Sequence, residues 1–165
     1  MESKNMIDIP KYDNYKFDLD LNKVYSIKNN IYLKNILNNK GYYQVGLYKN
    51  GKGKIYKVHR LVYICNNPTE DISEYQIDHI DNNKTNNKIE NLRKATESEN
   101  CSNRKTHKNN ILGIKYIYKT KHNTYRFNLV KNKIKYSKGF KNLQDALEYR
   151  DKFVLEKCGE FTRLD

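Results

Sequence analysis

The sequence has no tryptophan, only two prolines and seven glycines among its 165 residues, and three cysteines. Cys65, Cys101 and Cys158 are far apart and form no C-x-x-C pair, which excludes a zinc knuckle and a disulfide framework and suits a reducing compartment. No apolar run approaches the length of a membrane span, and the opening MESKNMIDIPKYD is too polar for a signal peptide. The expectation is a soluble intracellular protein with no membrane contact and no obligate protein partner. Only 37% of residues are hydrophobic and the mean hydropathy is -1.01, so a large apolar core is excluded. Small sheets backed by single helices suit such a chain better. What the sequence does have is aromatic: 15 Tyr and 5 Phe in alternating runs, unlike a disordered polypeptide.

The formal charge is +13, and its distribution says more than its sum. Residues 1–57 carry +6, residues 58–110 are neutral, and residues 111–165 carry +7. Two basic stretches thus flank a neutral centre, a pattern suited to gripping a polyanion and presenting it to that centre. A generic solvated surface rich in Lys is the plainer reading of the charge taken alone.

From Tyr12 to Val58, short apolar runs (VYSI, IYLK, YYQVGLY, KIYKV) alternate with turn signals such as Asn38-Asn39-Lys40-Gly41 and Asn50-Gly51. Asn and Gly tolerate positive φ, so these read as hairpins of one small antiparallel sheet. A helix follows from His59 to about Cys65, stopped by Asn66-Asn67-Pro68. Tyr75–Asp78 and Asn91–Ala95 read as strands, and a helix opens at Thr96 with a capping box closed by Glu99. Lys105 to Asn110 reads as a linker. Beyond it lie three strand candidates, GIKYIYK, NTYRFNLVK and NKIKYSKGF, with Tyr125, Phe127 and Leu129 sharing one face. Leu143, Ala146, Leu147, Arg150 and Val154 then fall at helical spacing, with Gly159 as the stop. The fold class is α+β: an N-terminal β module, a central ββα unit and a C-terminal three-stranded antiparallel sheet packed on one helix.

The chemistry-bearing stretch is QIDHIDNNKTNNKIENLRKATESENCSN, residues 76–103. Asp78 and Asn100 offer hard oxygen ligands to a divalent cation, favouring Mg²⁺ or Mn²⁺ over zinc. His79 suits a general base at neutral pH. Adjacent strand residues point to opposite faces, so Asp78 and His79 must lie where the strand breaks into the loop. Most Asn residues of DNNKTNN read simply as loop. Asp78, His79 and Asn100 supply the parts that phosphodiester hydrolysis needs, although each alone also has a structural explanation.

The run D-H-x-D-x-N-K-x-N-N at Asp78–Asn87, then Asn91-Leu92-Arg93, then Asn100, resembles the HNH endonuclease family, and its phage and intron homing branch most. Val58-His59-Arg60-Leu61-Val62 also resembles that branch, so the likeness covers about residues 12–104. It implies a metal-dependent endonuclease acting on double-stranded DNA. In that likeness His79 is the general base, Asp78 and Asn100 are metal ligands, and Asn91 orients the His and steadies the loop. The third motif position is Asn100 where many members have His, which agrees with Mg²⁺. Residues 12–28 resemble a small module that often precedes such nucleases, without its usual Trp. Gly113 to about Asp151 resembles the Apetala-type (ethylene-response-factor) DNA-binding domain, with Tyr125 in place of its usual Trp. That likeness implies a sheet laid in the major groove, with Lys115, Arg126 and Lys135 facing DNA.

The resulting division is residues 1–57 as a β-rich DNA-binding module, 58–110 as the nuclease unit and 111–165 as a second DNA-binding domain. Arg60 and Arg93 either touch phosphate or brace the fold, and Arg104 is a further DNA-binding candidate. His59 reads as a buried, hydrogen-bonded residue at a helix start. The competing function is a sequence-selective DNA-binding protein with a decayed nuclease centre; intact Asp78, His79, Asn91 and Asn100 argue against decay.

Overall fold

A computed structural model describes residues 5–106, 109–162 and 164. Strands β1 (Met6–Ile9), β2 (Tyr12–Asp18), β3 (Lys23–Ser26) and β4 (Ile31–Tyr32) pair in chain order as a four-stranded antiparallel sheet. The turn from β2 to β3 is wound on the Asp18 carboxylate, which is fully buried. It accepts from the Asp20 and Leu21 amides at 3.0 and 2.9 Å and from the Tyr32 hydroxyl at 2.6 Å. Strands β5 (Ile36–Leu37), β6 (Tyr43–Lys49) and β7 (Lys52–Lys57) make a separate three-stranded sheet. The alternation predicts one sheet here, and two are found. The run IYLKNIL yields only the two-residue strands β4 and β5, and between them the chain passes from one sheet to the other. Asn35 pins that crossing by donating its Nδ2 to the Asn22 carbonyl at 3.0 Å. The β6–β7 hairpin closes through Asn50 and Gly51 at φ 52° and 74°, the mirror-image turn that their sequence favours.

Helix α1 (Val58–Asn66) buries Val58, Leu61, Val62 and Cys65 against Phe17, Val24, Val45 and Leu47. Then come β8 (Gln76–His79), a 3₁₀ turn at Ile89–Asn91 and β9 (Leu92–Ala95), with β8 and β9 paired as a two-stranded sheet. Helix α2 (Glu97–Asn103) carries the expected capping box, Thr96 accepting from the Glu99 amide and Glu99 accepting from the Thr96 amide. Strands β10 (Ile117–Lys119), β11 (Tyr125–Lys131) and β12 (Ile134–Phe140) form a three-stranded antiparallel sheet, followed by α3 (Leu143–Cys158), which is capped by Asn142 and ends at Gly159. None of the described helices is long and apolar enough to cross a membrane.

The chain divides into two compact units, Met1–Lys94 and Ala95–Asp165. The first has one continuous core running from Ile9, Phe17 and Val24 through Val45, Leu47 and α1 to Ile77 and Leu92. The expected boundary at 57/58 therefore falls inside a core, because α1 supplies the apolar face that both N-terminal sheets need. In the second unit Ile117, Phe127 and Leu129 pack on Ala146, Val154 and Cys158 of α3, with Tyr149 and Phe153 around Phe127. This is the packing predicted from the period of two in β11 and the helical stripe that follows.

Two further expectations are corrected here. Residues 107 and 108 of the predicted linker lie outside the described residues, but Asn110 is no linker residue. It is buried and donates its Nδ2 to the carbonyls of Ile114 and Ile117 at 2.6 and 2.9 Å. Lys115, expected to face solvent, is buried too, and its Nζ donates to the Ser102 carbonyl of α2 at 2.6 Å. The cause is local. Gly113 and Tyr116 both take φ of 66°, and the Ile117 amide bonds back to Ile114, so the chain turns through Lys115 and becomes a strand only at Ile117. The alternation in GIKYIYK corresponds to an extended backbone only in its last three residues, Ile117–Lys119.

Candidate active site

Asp78 and His79 are the last two residues of β8, and the chain turns at once, the Asn82 amide bonding back to the His79 carbonyl at 2.9 Å. Both side chains are buried, at 6% and 4% exposure, on a strand otherwise polar at Gln76. They meet different neighbours, as strand alternation requires. The Asp78 Oδ2 accepts from Nε and an Nη of Arg93 on β9, both at 3.2 Å, a largely buried ion pair. The His79 Nε2 lies 3.0 Å from the Asn87 Oδ1, and this contact is buried.

The loop between β8 and β9 is tied at every step. Asp81 accepts from the Asn83 amide at 2.7 Å, from Asn86 Nδ2 at 2.7 Å and from Asn91 Nδ2 at 2.9 Å. Asn91 also accepts from the Asp81 amide at 3.0 Å and donates to the Asn86 carbonyl at 2.8 Å. Asn83 repeats the motif by accepting from the amide and hydroxyl of Thr85. Burial would raise the Asp81 carboxyl, but the hydrogen bonds from Asn86, Asn83 and Asn91, together with the His79 charge, hold it below the usual range. Asn91 therefore ties the end of the loop to Asp81 and Asn86. Asn87 is a loop side chain that meets the His79 ring.

Against His79 stands His59, the second residue of α1. The ring centroids are 4.8 Å apart, edge to face, and Tyr42 packs beside both rings at 5.1 and 6.0 Å. His59 is buried as expected, but its Nδ1 has no hydrogen-bond partner among the described residues, which corrects the expectation of a bonded residue. Burial first, then the nearby His79, Lys57 and Arg60, push its imidazole down to about 3. The ammonium groups of Lys57 and Lys84 lie 4.8 and 4.9 Å from the centre of the Tyr42 ring. Lys57 is lowered by partial burial and by Arg60, Lys40 and Lys84, the mark of a cation crowd short of counter-charge.

The remaining candidates sit on other elements of the chain. Arg60 braces the fold, donating to the Tyr75 and Ile72 carbonyls at 2.9 and 3.2 Å. Asn100 sits in α2 in the second unit, its amide bonded to the Thr96 carbonyl, and Arg104 caps that helix with an exposed side chain. Arg126 and Lys135 stand on the solvent face of the β11–β12 ladder. Among the described residues no three His, Cys, Asp or Glu side chains gather as a metal-binding group. Asn87, Tyr42, Lys57 and Lys84 were not legible from the sequence as members of this cluster. The nearest signal for Asn87 was the D-x-N-x-T spacing of Asp81, Asn83 and Thr85, which announces an ordered loop rather than a loose one.

Comparison with known proteins gives this geometry a context. The family model for HNH endonuclease matches residues 56–101. DNA endonuclease I-HmuI of Bacillus phage SP01 is 41% identical over 98 residues, which are 58% of this chain and 55% of that protein. An uncharacterised HNH endonuclease of Acanthamoeba polyphaga mimivirus is 33% identical over 106 residues, 64% of this chain and 54% of its own. The chain thus spans about half the length of these relatives. A solved structure of DNA binding and cleavage by the HNH homing endonuclease I-HmuI superposes with a TM-score of 0.54 at 29% identity, over 91% of this chain and 87% of that one.

Proposed function

We propose that this protein is a metal-dependent endonuclease of the homing type, hydrolysing phosphodiester bonds of double-stranded DNA, a reading supported by the match of residues 56–101 to the HNH endonuclease family model. The observation that carries this reading is the buried pair Asp78 and His79 at the end of β8, each held by a dedicated partner, Arg93 and Asn87. A buried carboxylate and a buried imidazole side by side are costly to fold, and their presence in a segment that matches this family model supports chemistry there.

In this reading His79 takes the proton from the attacking water. By the family resemblance, Asp78 and Asn100 would be the protein ligands of one divalent cation. Their oxygens are hard donors, which fits Mg²⁺, with Mn²⁺ able to substitute, and gives no reason to expect zinc. When bound, the cation neutralises charge on the phosphate and on the departing oxygen. Arg93 fixes the Asp78 carboxylate by two donors from one guanidinium edge that converge on Oδ2. Lys57 and Lys84, crowded around Tyr42, draw the DNA backbone towards His79, since a phosphate would relieve their mutual repulsion. Arg60 acts as a brace rather than as a DNA ligand.

Functionally the division into residues 1–57, 58–110 and 111–165 stands as recognition, cutting and recognition, although packing groups the chain differently. The three-stranded sheet with its single helix fits an Apetala-type DNA-binding domain. Arg126 and Lys135 on its open face, with Arg104, contact DNA; Lys115 does not. The test is incubation of the purified protein with supercoiled plasmid, with and without Mg²⁺. Nicked or linear product that EDTA abolishes is expected, and intact plasmid at saturating protein would leave only the DNA-binding reading.

A further inference from the structure

We infer that Asn87 is the positioning residue that holds the His79 imidazole in its Nε2–H form, leaving Nδ1 as the atom that takes the proton. The family resemblance gives the orienting role to Asn91, and the geometry divides it. Asn91 locks the loop, and Asn87 touches the ring.

The Asn87 side chain presents its Oδ1 to the His79 Nε2 at 3.0 Å. An amide oxygen only accepts, so the ring nitrogen facing it must carry a hydrogen. A neutral imidazole has one N–H and one lone pair, which therefore sits on Nδ1. Both residues are buried, at 7% and 4% exposure, so water competes poorly for the bond and its directing effect is strong. A mobile loop would hold no tautomer, and this loop is fixed. The Asn86 carbonyl and side chain, one residue before Asn87, are held by Asn91 and Asp81, and the Asn87 amide is bonded to the Thr85 carbonyl at 3.1 Å. On its other side the His79 ring is bounded by His59 at 4.8 Å and Tyr42 at 6.0 Å, which oppose a flip that would exchange the nitrogens. A chain of contacts thus runs from Asn91 through Asp81 and Asn86 to Asn87 and the imidazole. The importance of this for cutting rests on the nuclease reading; the tautomer itself does not.

The experiment uses the full chain labelled with ¹⁵N in histidine, at about pH 8.5, where ordinary imidazoles are neutral. Long-range proton–nitrogen spectra distinguish Nε2–H from Nδ1–H rings, and loss of signal in His79→Gln identifies His79. Wild type and Asn87→Asp, which keeps an acceptor, are expected to show His79 as Nε2–H, while Asn87→Leu shows a mixture. In the plasmid assay Asn87→Leu should lower kcat roughly 10–100-fold with little change in KM, the usual effect of losing an orienting partner, and Asn87→Asp should recover most of it. An Nδ1–H ring in wild type overturns the inference, as does an unchanged Nε2–H ring in a folded Asn87→Leu. If Asn87→Leu does not fold, the wild-type and Asn87→Asp spectra decide. If wild type does not cut DNA, the nuclease reading fails and the ring-nitrogen signals alone uphold or overturn the inference.

Discussion

At the end of β8, Asp78, His79 and Asn87 are buried and each is bonded to a defined partner, whereas on the open face of β11 and β12, Arg126 and Lys135 are exposed and their side chains make no hydrogen bond or ion pair among the described residues. The two regions handle polar side chains in opposite ways. Under the proposed function, groups that react are fixed before substrate arrives, because their direction decides the rate. Groups that must read a partner keep their donors open, because a donor already satisfied inside the protein has nothing left to offer. Lys115 illustrates the contrast from within the second unit: its ammonium is held by the Ser102 carbonyl and so is withdrawn from recognition.

If that contrast is right, the largest effect follows from removing the base. His79→Ala should lower cleavage by about two to four orders of magnitude while DNA affinity stays near wild type. Plasmid nicking beside a binding titration measures both, and near-normal cutting would dissolve the distinction between the fixed and open regions. Next comes the buried ion pair. Arg93→Ala leaves Asp78 buried without its cation and should cost about 3 kcal/mol of stability in urea unfolding, along with activity. A loss below about 1 kcal/mol would place Arg93 with the open group instead.

His59 sharpens the same comparison through pH. Its folded value of about 3 lies below the ordinary 6.5, so its contribution is complete above pH 6.5 and is lost as pH falls towards 3. Wild type should lose up to about 1.4 kcal/mol per pH unit from this group across that window. Urea unfolding of wild type and His59→Gln over a pH series should show the slope reduced in the variant; parallel curves would mean that His59 is not buried neutral. On the open face the effects are smaller and of another kind. Arg126→Ala and Lys135→Ala should each reduce the log–log salt slope of DNA binding by roughly 0.9 and leave stability unchanged. A loss of stability instead would show those side chains to be structural. The smallest change is expected at the β11–β12 turn, where Lys133 takes φ of 66°, a conformation unfavourable for a residue with a Cβ. Lys133→Gly should gain about 1 kcal/mol in thermal or urea unfolding.

The same contrast explains what could be read from the sequence. Thr96 with Glu99, Asn50 with Gly51, and the stripe Leu143, Ala146, Leu147, Arg150 and Val154 depend on neighbours a few residues away, so their spacing gave the elements directly. Asp78 and His79 were legible because an Asp-His pair ending an apolar strand is chemically unusual. The choice between Asn87 and Asn91 was not. Both are loop Asn residues of the same donor and acceptor capacity, and which one meets the imidazole depends on how Asp81 closes the loop. The contact between His59 and His79 joins residues twenty apart through tertiary packing, and no local pattern encodes it. Lys115 was misjudged because a period of two was taken for a strand where Gly113 and Tyr116 turn the chain.

The Lys115–Ser102 bond also bears on how this protein could exchange parts with its relatives. A graft joined at residue 111, the seam that the charge pattern suggests, would keep α2 and discard the ammonium that satisfies its last turn, and it would separate Asn110 from the Ile114 and Ile117 carbonyls. The helix bearing Asn100 would be inherited without its support. A chimaera joined between Lys94 and Ala95 transfers α2 and the sheet together. Asn100 would then travel with the sheet and helix that follow it, so a join at this seam leaves the packing around α2 intact.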